Sequence, residues 1–524
     1  MFDEITFSIG GYSGRHYGKL GFNFKIRGND ELFGRTQFRL RSDAREPTFL
    51  RSKLVCDIQN RLGFPSISAN YANLYINDEF MGFYILMDIY KLSWIKYEYN
   101  DENITSLYQC KTLGNFLTTD FSAKHCKNKN DNITESDEWL NFLNTLNEAQ
   151  SAEDLEDIFD IDLFLKQIAL EYLLGSWDHF LNYGHNYYLY KPPNDKWKYL
   201  TYDFDADFGQ DIELPYIGLV IEDVPEIMLK TNTNYINYSF KDWARKTHLI
   251  EILILNDPNR FNNHLKSIVN DVFNPATLFP HIDEVKSFIK PYVQQDKTPN
   301  EEGKYPGRLN KKINDYSISQ WDASSEFTTI KSTDNYRSFG LKYWILAKYR
   351  YVCTYYKMDC DPTYMNKDFK YEVNKDLEFT LFGDPSTYLI NNYTISSPPE
   401  NSSYQCKAEM YGYPCCAFDN TDIYVQDEIG DWGFDFELNE WCGITPNNKS
   451  ETDPILTGNT PVTTDNDLTI TNNYHPSIAG EECWSEYLGY VCCNECVQVS
   501  EIDSNGQWGI EADQWCGIPA YCNN

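Results

Sequence analysis

The sequence has little positive charge and no long apolar run. Its 45 Lys and Arg residues are outnumbered by 78 Asp and Glu residues, which gives a formal net charge of −33. A surface of that sign repels nucleic-acid phosphates and anionic lipid headgroups, so we expect no nucleic-acid partner. No stretch approaches the roughly 18 uninterrupted apolar residues that a membrane span requires, so we expect no membrane association.

The N-terminus also lacks a secretory signal, because MFDEITFSIG has neither a basic start nor an apolar run. Two other features favour an oxidising, extracellular setting. Ten of the fifteen cysteines lie between Cys406 and Cys522, and N-glycosylation sequons are scattered along the chain. We therefore expect a secreted protein, and we interpret the sequence as a fragment that has lost its natural N-terminus.

The first 390 residues mix strand and helix signals. Residues 22–26 and 37–40 alternate like strands, and ANLYINDEFMGFYILMD predicts a hairpin that turns at Asn77 and Asp78. A helix is predicted where apolar residues recur on one face before Gly63, namely Leu50, Leu54, Ile58 and Leu62. Strand-rich pieces followed by helices favour an α+β domain of two lobes.

A second helix is predicted after a capping box formed by Ser151 and Asp154, running through Leu155 and Phe159 to a stop at Gly175. A hairpin follows, in which HNYYLYK and KWKYLTYD flank the turn PPND. If Lys191 pairs with Lys196, then Asn186 lies opposite Thr201 and shares a face with Asp203. A slip of one residue would place Asn186 and Asp203 on opposite faces.

The composition changes after residue 390. We predict a domain over 1–390, a linker over 391–404, a small module over 405–446, a Thr/Asn/Asp-rich linker over 447–481 and a second module over 482–523. The modules are copies of each other: CxxxxxGYxCC begins at Cys406 and again 77 residues later at Cys483, and WCGI recurs at Trp441 and Trp515. Modules of about 40 residues usually need disulfides.

The module cysteines are therefore predicted to form disulfides, with the pairing left open: Cys406, Cys415, Cys416, Cys442, Cys483, Cys492, Cys493, Cys496, Cys516 and Cys522. A zinc site is a weak alternative, because neither module contains a His.

The repeated pattern closely resembles the dockerin modules of anaerobic fungal cellulosomes, which are grouped with family ten carbohydrate-binding modules. The resemblance implies binding to a scaffold protein, or to a glycan on it, through Tyr413, Trp432, Tyr490 and Trp508. Direct binding of cellulose is the alternative.

The stretch GSWDHFLNYGHNYYLYKPPNDKWKYLTYDFDADFGQD carries the candidate chemistry. Carboxylate and amide oxygens suit a hard cation such as Mg²⁺, and phosphoryl transfer needs an acidic residue near the acceptor hydroxyl and further acidic or amide groups on the metal. The residues expected to converge near one end of the hairpin are Asp178, Asn182, Asn186, Asp203 and Asp205. A hairpin with ordinary acidic ends, or a glycosidase with two carboxylates, would be alternatives.

Several segments together resemble the CotH family of atypical secreted kinases: GGYSGRHYGKLGFNFKIRG, QFRLRSDAREPTFLRSKL, NLYINDEFMGFYILMD, WDHFLNYGHNYYLYK and YDFDADFGQD. The resemblance implies a two-lobed kinase-like fold that uses ATP with Mg²⁺ or Mn²⁺. It implies that Asp178 is the catalytic aspartate and Asp203 the leading metal ligand, supported by Asn182, Asn186 and Asp205.

Ser13 and Arg15 match the family's small-residue loop, and the resemblance implies that they bind nucleotide with Lys19 and Lys25. Ordinary solvated lysines on a strand would give the same sequence pattern. Arg39, Arg41 and Arg45 would bind phosphate or lie on a solvated surface.

These observations predict a secreted kinase that transfers phosphate from ATP to Ser or Thr of extracellular proteins while docked to a scaffold. A non-catalytic structural component and a carbohydrate-binding or plant-wall-active protein are the alternatives, because a fold alone does not determine a function.

Overall fold

The structure is a computed structural model. It describes residues 2–10, 17–133, 137–212, 235–310, 315–334 and 336–379, together with Cys416 and residues 425–427, 430–435, 440–444, 491–492, 501–502, 507–511 and 514–518. The chain divides into two compact units, Met1–Asn447 and Asn448–Asn524. None of the described helices combines the length and the apolar composition needed to span a bilayer.

The N-terminal part of the first unit is a five-stranded antiparallel sheet with the strand order β1-β2-β3-β5-β4. Its strands are β1 (Ile5–Gly10), β2 (Gly21–Ile26), β3 (Gln37–Arg41), β4 (Ala69–Ile76) and β5 (Glu79–Asp88). The predicted hairpin between β4 and β5 is confirmed, because Asn77 and Asp78 form its turn with φ angles of 50° and 66°. Such left-handed angles are typical of tight two-residue hairpins.

Helix α1 (Arg51–Arg61) is also confirmed as predicted. Leu54 and Ile58 are buried, and Gly63 follows the helix with a φ of 69°. The apolar face of α1 packs under the first sheet, where Phe83 and Met87 of β5 join the same core. This packing places the face of the sheet that carries α1 toward the interior of the domain.

A second antiparallel sheet has the strand order β7-β6-β8-β9. Its strands are β6 (Leu107–Cys110), β7 (Cys126–Asn128), β8 (Tyr187–Tyr190) and β9 (Lys198–Thr201). The helices that precede or interrupt these strands are α2 (Leu92–Tyr99), α3 (Thr119–His125), α4 (Asp137–Glu148), α5 (Ile161–Leu174) and α6 (Phe180–Tyr183). The two sheets and the helices around them confirm the α+β class.

The helix predicted from Ser151 is interrupted. A short 3₁₀ turn at Glu153–Leu155 is followed by a break, and α5 begins only after Asp160, whose side chain caps the backbone N–H of Leu163 at 3.1 Å. The break occurs because Phe159 forms a parallel bridge with Trp197. Local sequence patterns do not predict such a tertiary contact. Gly175 ends α5 with a φ of 65°, as predicted.

The predicted register of the second hairpin is wrong by one residue. Tyr187, and not Asn186, lies opposite Thr201 in the pairing of β8 with β9. Asn186 instead accepts a hydrogen bond at its carbonyl from the backbone N–H of Tyr202, with an N–O distance of 3.2 Å. All four residues of β8 are buried, so no alternation between polar and apolar residues was available to fix the register.

The rest of the large domain is mainly helical. It contains α7 (Phe240–Trp243), α8 (His248–Ile250), a π-helical stretch (Glu251–Leu255), α9 (Asn259–Asp271), α10 (Pro275–Asp296), α11 (Ile318–Ser324), α12 (Leu341–Tyr355) and α13 (Pro362–Met365), with a small hairpin of β10 (Ile330–Lys331) and β11 (Arg337–Ser338) before α12. One continuous apolar core joins α1, α5, α9, α10 and α12.

Two disulfides occur where none was predicted, between Cys110 and Cys126 and between Cys353 and Cys360. In the first small module Cys416 is bonded to Cys442. Cys56 is a buried free thiol. The other module cysteines that are predicted to form disulfides lie outside the described part of the chain or have side chains that it does not include.

Both small modules contain the same hairpin. The first has β12 (Val425–Asp427), β13 (Gly430–Asp435) and β14 (Glu440–Gly443); the second has β15 (Val491–Cys492), β16 (Glu501–Ile502), β17 (Gln507–Glu511) and β18 (Gln514–Gly517). Trp432 pairs with Gly443 in the first module, and Trp508 pairs with Gly517 in the second. The sequence repeat therefore corresponds to a repeated backbone pairing.

A buried arginine connects distant parts of the large domain. The Arg51 guanidinium donates to the Glu46 carboxylate at 2.7 Å, to the Asp207 carbonyl at 3.1 Å and to the Phe339 carbonyl at 2.6 Å. Arg51 and Glu46 are both fully buried. Removing one member of such a pair leaves the other as an uncompensated charge in the interior.

We predict that Arg51→Met lowers the free energy of unfolding by about 3–5 kcal/mol, because Glu46 loses its counter-charge. Urea unfolding followed by tryptophan fluorescence measures this change. Arg61→Met, at an exposed position of the same helix, is the control and should change stability by less than about 0.5 kcal/mol. Equal midpoints for the two variants would contradict the role given to Arg51.

Candidate functional site

A cleft lies between the inner face of the first sheet and the second sheet. Two rows of polar side chains cross β1, β2 and β3, because residues paired across neighbouring strands share a face. Ser8, Asn23 and Arg39 form one row, and Thr6, Lys25 and Gln37 form the other. These six residues line a cavity of about 390 Å³, whose opposite wall includes Gln109, Tyr188 and Tyr202.

Asp178 lies in the turn between α5 and α6 and is close to Asp203, which lines the inner end of the cleft with Arg39 and Arg41. The side-chain amide of Asn186 donates to the Asp178 carbonyl at 2.9 Å and to its carboxylate at 3.2 Å. Burial raises the pKa of Asp178 to about 7; Arg45 opposes this rise, while the charges of Asp203 and Asp205 add to it. Asp178 is thus a carboxylate whose affinity for a proton is well above that of an ordinary aspartate.

Asp203 and Asp205 share one cation. The Arg41 guanidinium contacts the Asp203 carboxylate through Nη1 and the Asp205 carboxylate through Nη2, the latter at 2.5 Å. Burial alone would raise the pKa of Asp203, but Arg41 and then Arg39 outweigh burial and hold that pKa well below its usual value. Asp203 therefore carries negative charge at neutral pH.

Left-handed backbone conformations allow Asn186 and Asp203 to lie near each other although the register of the hairpin differs from the predicted one. Asn186 has a φ of 56° and Asp203 a φ of 76°, and both lie just outside the paired residues of β8 and β9. The alternation of faces along a strand therefore ends before either residue. The structure brings Asp178, Asn186, Asp203 and Asp205 together, although not through the pairing that the sequence suggested.

Two predicted residues have other partners. The Asn182 side-chain amide donates to the Trp243 carbonyl at 2.7 Å. Lys19 is buried, with its Nζ 2.6 Å from Asp296 Oδ1 and in contact with the Phe83 carbonyl. Burial lowers the pKa of Lys19 to about 8 despite the opposing charge of Asp296. The predicted roles of Asn182 in metal binding and of Lys19 in nucleotide binding stay predictions.

Lys25 lines the cleft as part of the second polar row. Ser13, Arg15, Tyr413 and Tyr490 lie outside the described residues. For Trp432 and Trp508 the structure gives the backbone pairing alone. Among the described residues no group of three or more His, Cys, Asp or Glu side chains is placed to hold a metal ion.

A comparison of the sequence with known protein families identifies the family of the large domain. Residues 8–341, more than half of the chain, match the family described as CotH kinase protein. The chain belongs to the CotH family. The matched range contains Asp178, Asn186, Asp203, Asp205 and, except for Thr6, the polar rows of the first sheet.

CotH proteins of the fungus Rhizopus delemar are among its relatives. Invasin CotH3 is 25% identical over 320 residues, covering 57% of this chain and 51% of that protein. Spore coat protein homolog 1 is 28% identical over 283 residues, covering 51% of this chain and 44% of that protein. The chain spans about half the length of these curated relatives.

The C-terminal region is dockerin-like. Residues 405–444 and 482–518 match the family described as a cellulose or protein binding domain. Endoglucanase B of Neocallimastix patriciarum is 50% identical over 44 residues, covering 8% of this chain and 9% of that enzyme. A solved double dockerin from Piromyces equi Cel45A is 26% identical and covers 23% of this CotH chain and 93% of its own, but its TM-score of 0.09 carries no structural argument.

Sequence reasoning did not assign several contributors to the CotH cleft. It left the arginines of β3 undecided, although the alternation in QFRLR indicates that Gln37, Arg39 and Arg41 share one face. It did not select Lys91 or Gln109, which line the cavity but do not belong to any of the sequence motifs that were singled out. No local pattern marks those two residues, because they reach the cleft through tertiary packing.

A buried glutamate supports the turn that carries Asp178. The Glu171 carboxyl group of α5 accepts from the Leu181 backbone N–H at 3.2 Å and from the Tyr199 hydroxyl at 2.8 Å. Burial raises the pKa of Glu171 to about 8, although these hydrogen bonds oppose the rise. The folded protein therefore binds the Glu171 proton more tightly than the unfolded chain does.

This shift predicts a specific pH dependence of stability. A raised folded-state pKa contributes stability that is complete below the unfolded value, near 4.5, and is lost as pH rises toward about 8. Glu171→Gln should remove this contribution, so the variant should gain stability relative to the wild type by up to roughly 1.4 kcal/mol for each pH unit crossed. Urea unfolding at pH 5 and pH 8.5 measures the difference.

Glu153→Gln, at an exposed position before α5, is the matched control and should follow the wild type at both pH values. A constant difference between Glu171→Gln and the wild type across this range would show that Glu171 is ionised in the folded protein, against the expectation.

Proposed function

We propose that the CotH domain transfers the γ-phosphoryl group of ATP to a Ser or Thr hydroxyl of an extracellular protein. The observation that carries the proposal is the convergence of Asp178, Asn186 and Asp205 on Asp203, which lines the inner end of a polar cleft. Their chain order, with one acidic residue before a hairpin and two after it, follows the division of roles in phosphoryl transfer.

Asp178 is suited to receive or orient the acceptor proton. Its raised pKa of about 7 makes it a stronger base than an ordinary aspartate, and the Asn186 amide fixes its position. The His185 ring, with Nδ1 3.8 Å from Asp178 Oδ1, stays neutral because burial lowers its pKa to about 4. A neutral neighbour leaves Asp178 free to accept a proton.

Asp203 and Asp205 are suited to hold Mg²⁺ or Mn²⁺. Two carboxylates that already converge on one guanidinium can share a divalent ion, and Mg²⁺ commonly takes only one or two carboxylates with water and phosphate oxygens. Asn186 could add its amide oxygen, since its amide nitrogen is bonded to Asp178. A bound divalent ion would neutralise the phosphate oxygens during transfer. Arg41, which now contacts both aspartates, would have to release them to make room for the ion.

We expect Asp203→Asn and Asp178→Asn each to reduce phosphate transfer by at least about 100-fold, since the first removes a metal ligand and the second a proton acceptor. Transfer from labelled ATP to casein and to the protein itself, with Mg²⁺ or Mn²⁺, measures the loss. Asp359→Asn, at an exposed position far along the chain, is the control and should keep full activity. Absence of transfer by a folded wild-type protein would favour a non-catalytic component instead.

We further propose that the two dockerin-like modules attach the protein to the scaffold protein of a cellulosome-type complex outside the cell. The support is the double match of the modules and their similarity to modules of plant-wall enzymes such as feruloyl esterase B of Piromyces equi, 42% identical over 52 residues. Two modules joined by a spacer bind more tightly than either one when both can engage at once.

Trp432→Ala or Trp508→Ala alone should therefore weaken binding to immobilised scaffold protein by about 100-fold or more, and the double variant should abolish it. Surface plasmon resonance measures both effects, and Thr463→Ala in the spacer is the control. Retention on cellulose without binding to scaffold protein would favour the carbohydrate-binding alternative.

A further inference from the structure

The outer end of the cleft is rich in cations and poor in acids. Three cationic residues, Lys25, Arg39 and Lys91, are among the twelve residues that line the cavity, and none of the twelve is Asp or Glu. In the part of the chain that the structure describes, none of the three forms an ion pair. Arg39 acts on Asp203 without a direct ion pair. Three cations without a direct ion pair are unusual in a protein whose formal net charge is −33.

A fourth cation lies against this end. Lys129 donates to the Gln109 side chain at 3.1 Å, which places its ammonium group close enough to Lys91 for the two charges to repel each other. Burial, then repulsion by Lys129, lowers the pKa of Lys91 to about 8, with a further contribution from Lys25. Asp131 is the acidic residue that opposes these effects on both lysines, while Lys111 adds to the repulsion at Lys129.

Two neighbouring ammonium groups in a partly buried position are costly unless an anion lies between them. The lysines are also separated from the aspartates. Lys25 is paired with Gln37, four residues along β3 from Arg41, and four residues of a strand span roughly 13 Å. The cleft therefore has two charged ends, one where Arg41 is neutralised by aspartates and one where lysines have little acidic compensation.

We propose that Lys25, Lys91 and Lys129 form an anion site that takes a phosphate group at the end of the cleft away from Asp203. The phosphate could be free inorganic phosphate or a second phosphate on the ribose of a bound nucleotide. The nucleotide source rests on the proposed function, whereas free phosphate does not. Lysine ammonium groups bind such oxyanions through charge-assisted hydrogen bonds.

The test uses the full chain without ATP or divalent metal. Inorganic phosphate, titrated at constant ionic strength, should raise the melting temperature of the wild type, because a ligand that binds only the folded state stabilises it. Lys91→Met and Lys129→Met should each weaken phosphate binding, measured by calorimetry, at least tenfold. Both variants should melt no lower than the wild type without phosphate, since each removes a repulsion. Lys127→Met, at an exposed position of the neighbouring strand β7, is the control.

A second arm separates the two sources. If the site takes a ribose phosphate, adenosine 3′,5′-bisphosphate should bind at least tenfold more tightly than adenosine 5′-monophosphate to the wild type, but not to Lys91→Met. If the site takes free phosphate alone, the two nucleotides should bind equally while inorganic phosphate still binds. The proposal is overturned if no probe distinguishes wild type from the two lysine variants. Loss of kinase activity in Asp203→Asn has no bearing on that result.

Discussion

A buried guanidinium must have its N–H groups bonded, and Arg51 obtains its partners from three segments far apart in the chain. Glu46 lies before α1, Asp207 follows β9, and Phe339 precedes α12. Because Asp207 is only two residues from Asp205, the bond from Arg51 also helps to fix the segment that carries the acidic end of the cleft. The position of the site thus depends on an interaction within the core.

The arginines near the cleft, like the buried Arg51, need partners for their charged groups. Arg41 is balanced by Asp203 and Asp205, and Arg45 contacts Asp211 at 3.1 Å. In a partly buried cleft such contacts are stronger than on the surface, because water screens them less. The lysines at the other end lack an equivalent set of acids, so the cleft presents an acidic, arginine-balanced region beside a cationic one. That arrangement suits a ligand that brings both a metal ion and several phosphate oxygens.

Features with a clear local period could be predicted from the sequence. Strands β2 to β5 of the first sheet, helix α1 and the turn at Asn77 and Asp78 follow alternation, helical spacing and turn chemistry. The register of the second hairpin could not be predicted, because Tyr187 to Tyr190 are buried on both faces and carry no alternation. The break before α5 depends on Phe159 meeting Trp197, which is a tertiary contact.

In the candidate site, too, local sequence patterns identify some features and tertiary contacts determine the others. Asp178, Asn186, Asp203 and Asp205 could be selected because hard-cation ligands cluster around one hairpin. The arginines that lower the pKa of Asp203 come from β3, more than 160 residues earlier, and only the fold reveals that Arg41 lies on Asp203. The partner of Lys19 is similarly remote, since Asp296 is 277 residues away along the chain. Ion pairs of this kind depend on topology, and sequence spacing does not encode them.

Under the proposed function, Arg41 has two roles that cannot operate at once. Without ligand it neutralises Asp203 and Asp205, which would otherwise repel each other. If a divalent ion were held by these aspartates, the guanidinium would be freed on the same sheet face as Arg39, which lines the cleft. Arg41 and Arg39 would then both be able to pair with phosphate oxygens. Metal binding and phosphate binding would therefore be coupled through a single side chain, because the cation that leaves the carboxylates becomes available to the phosphates.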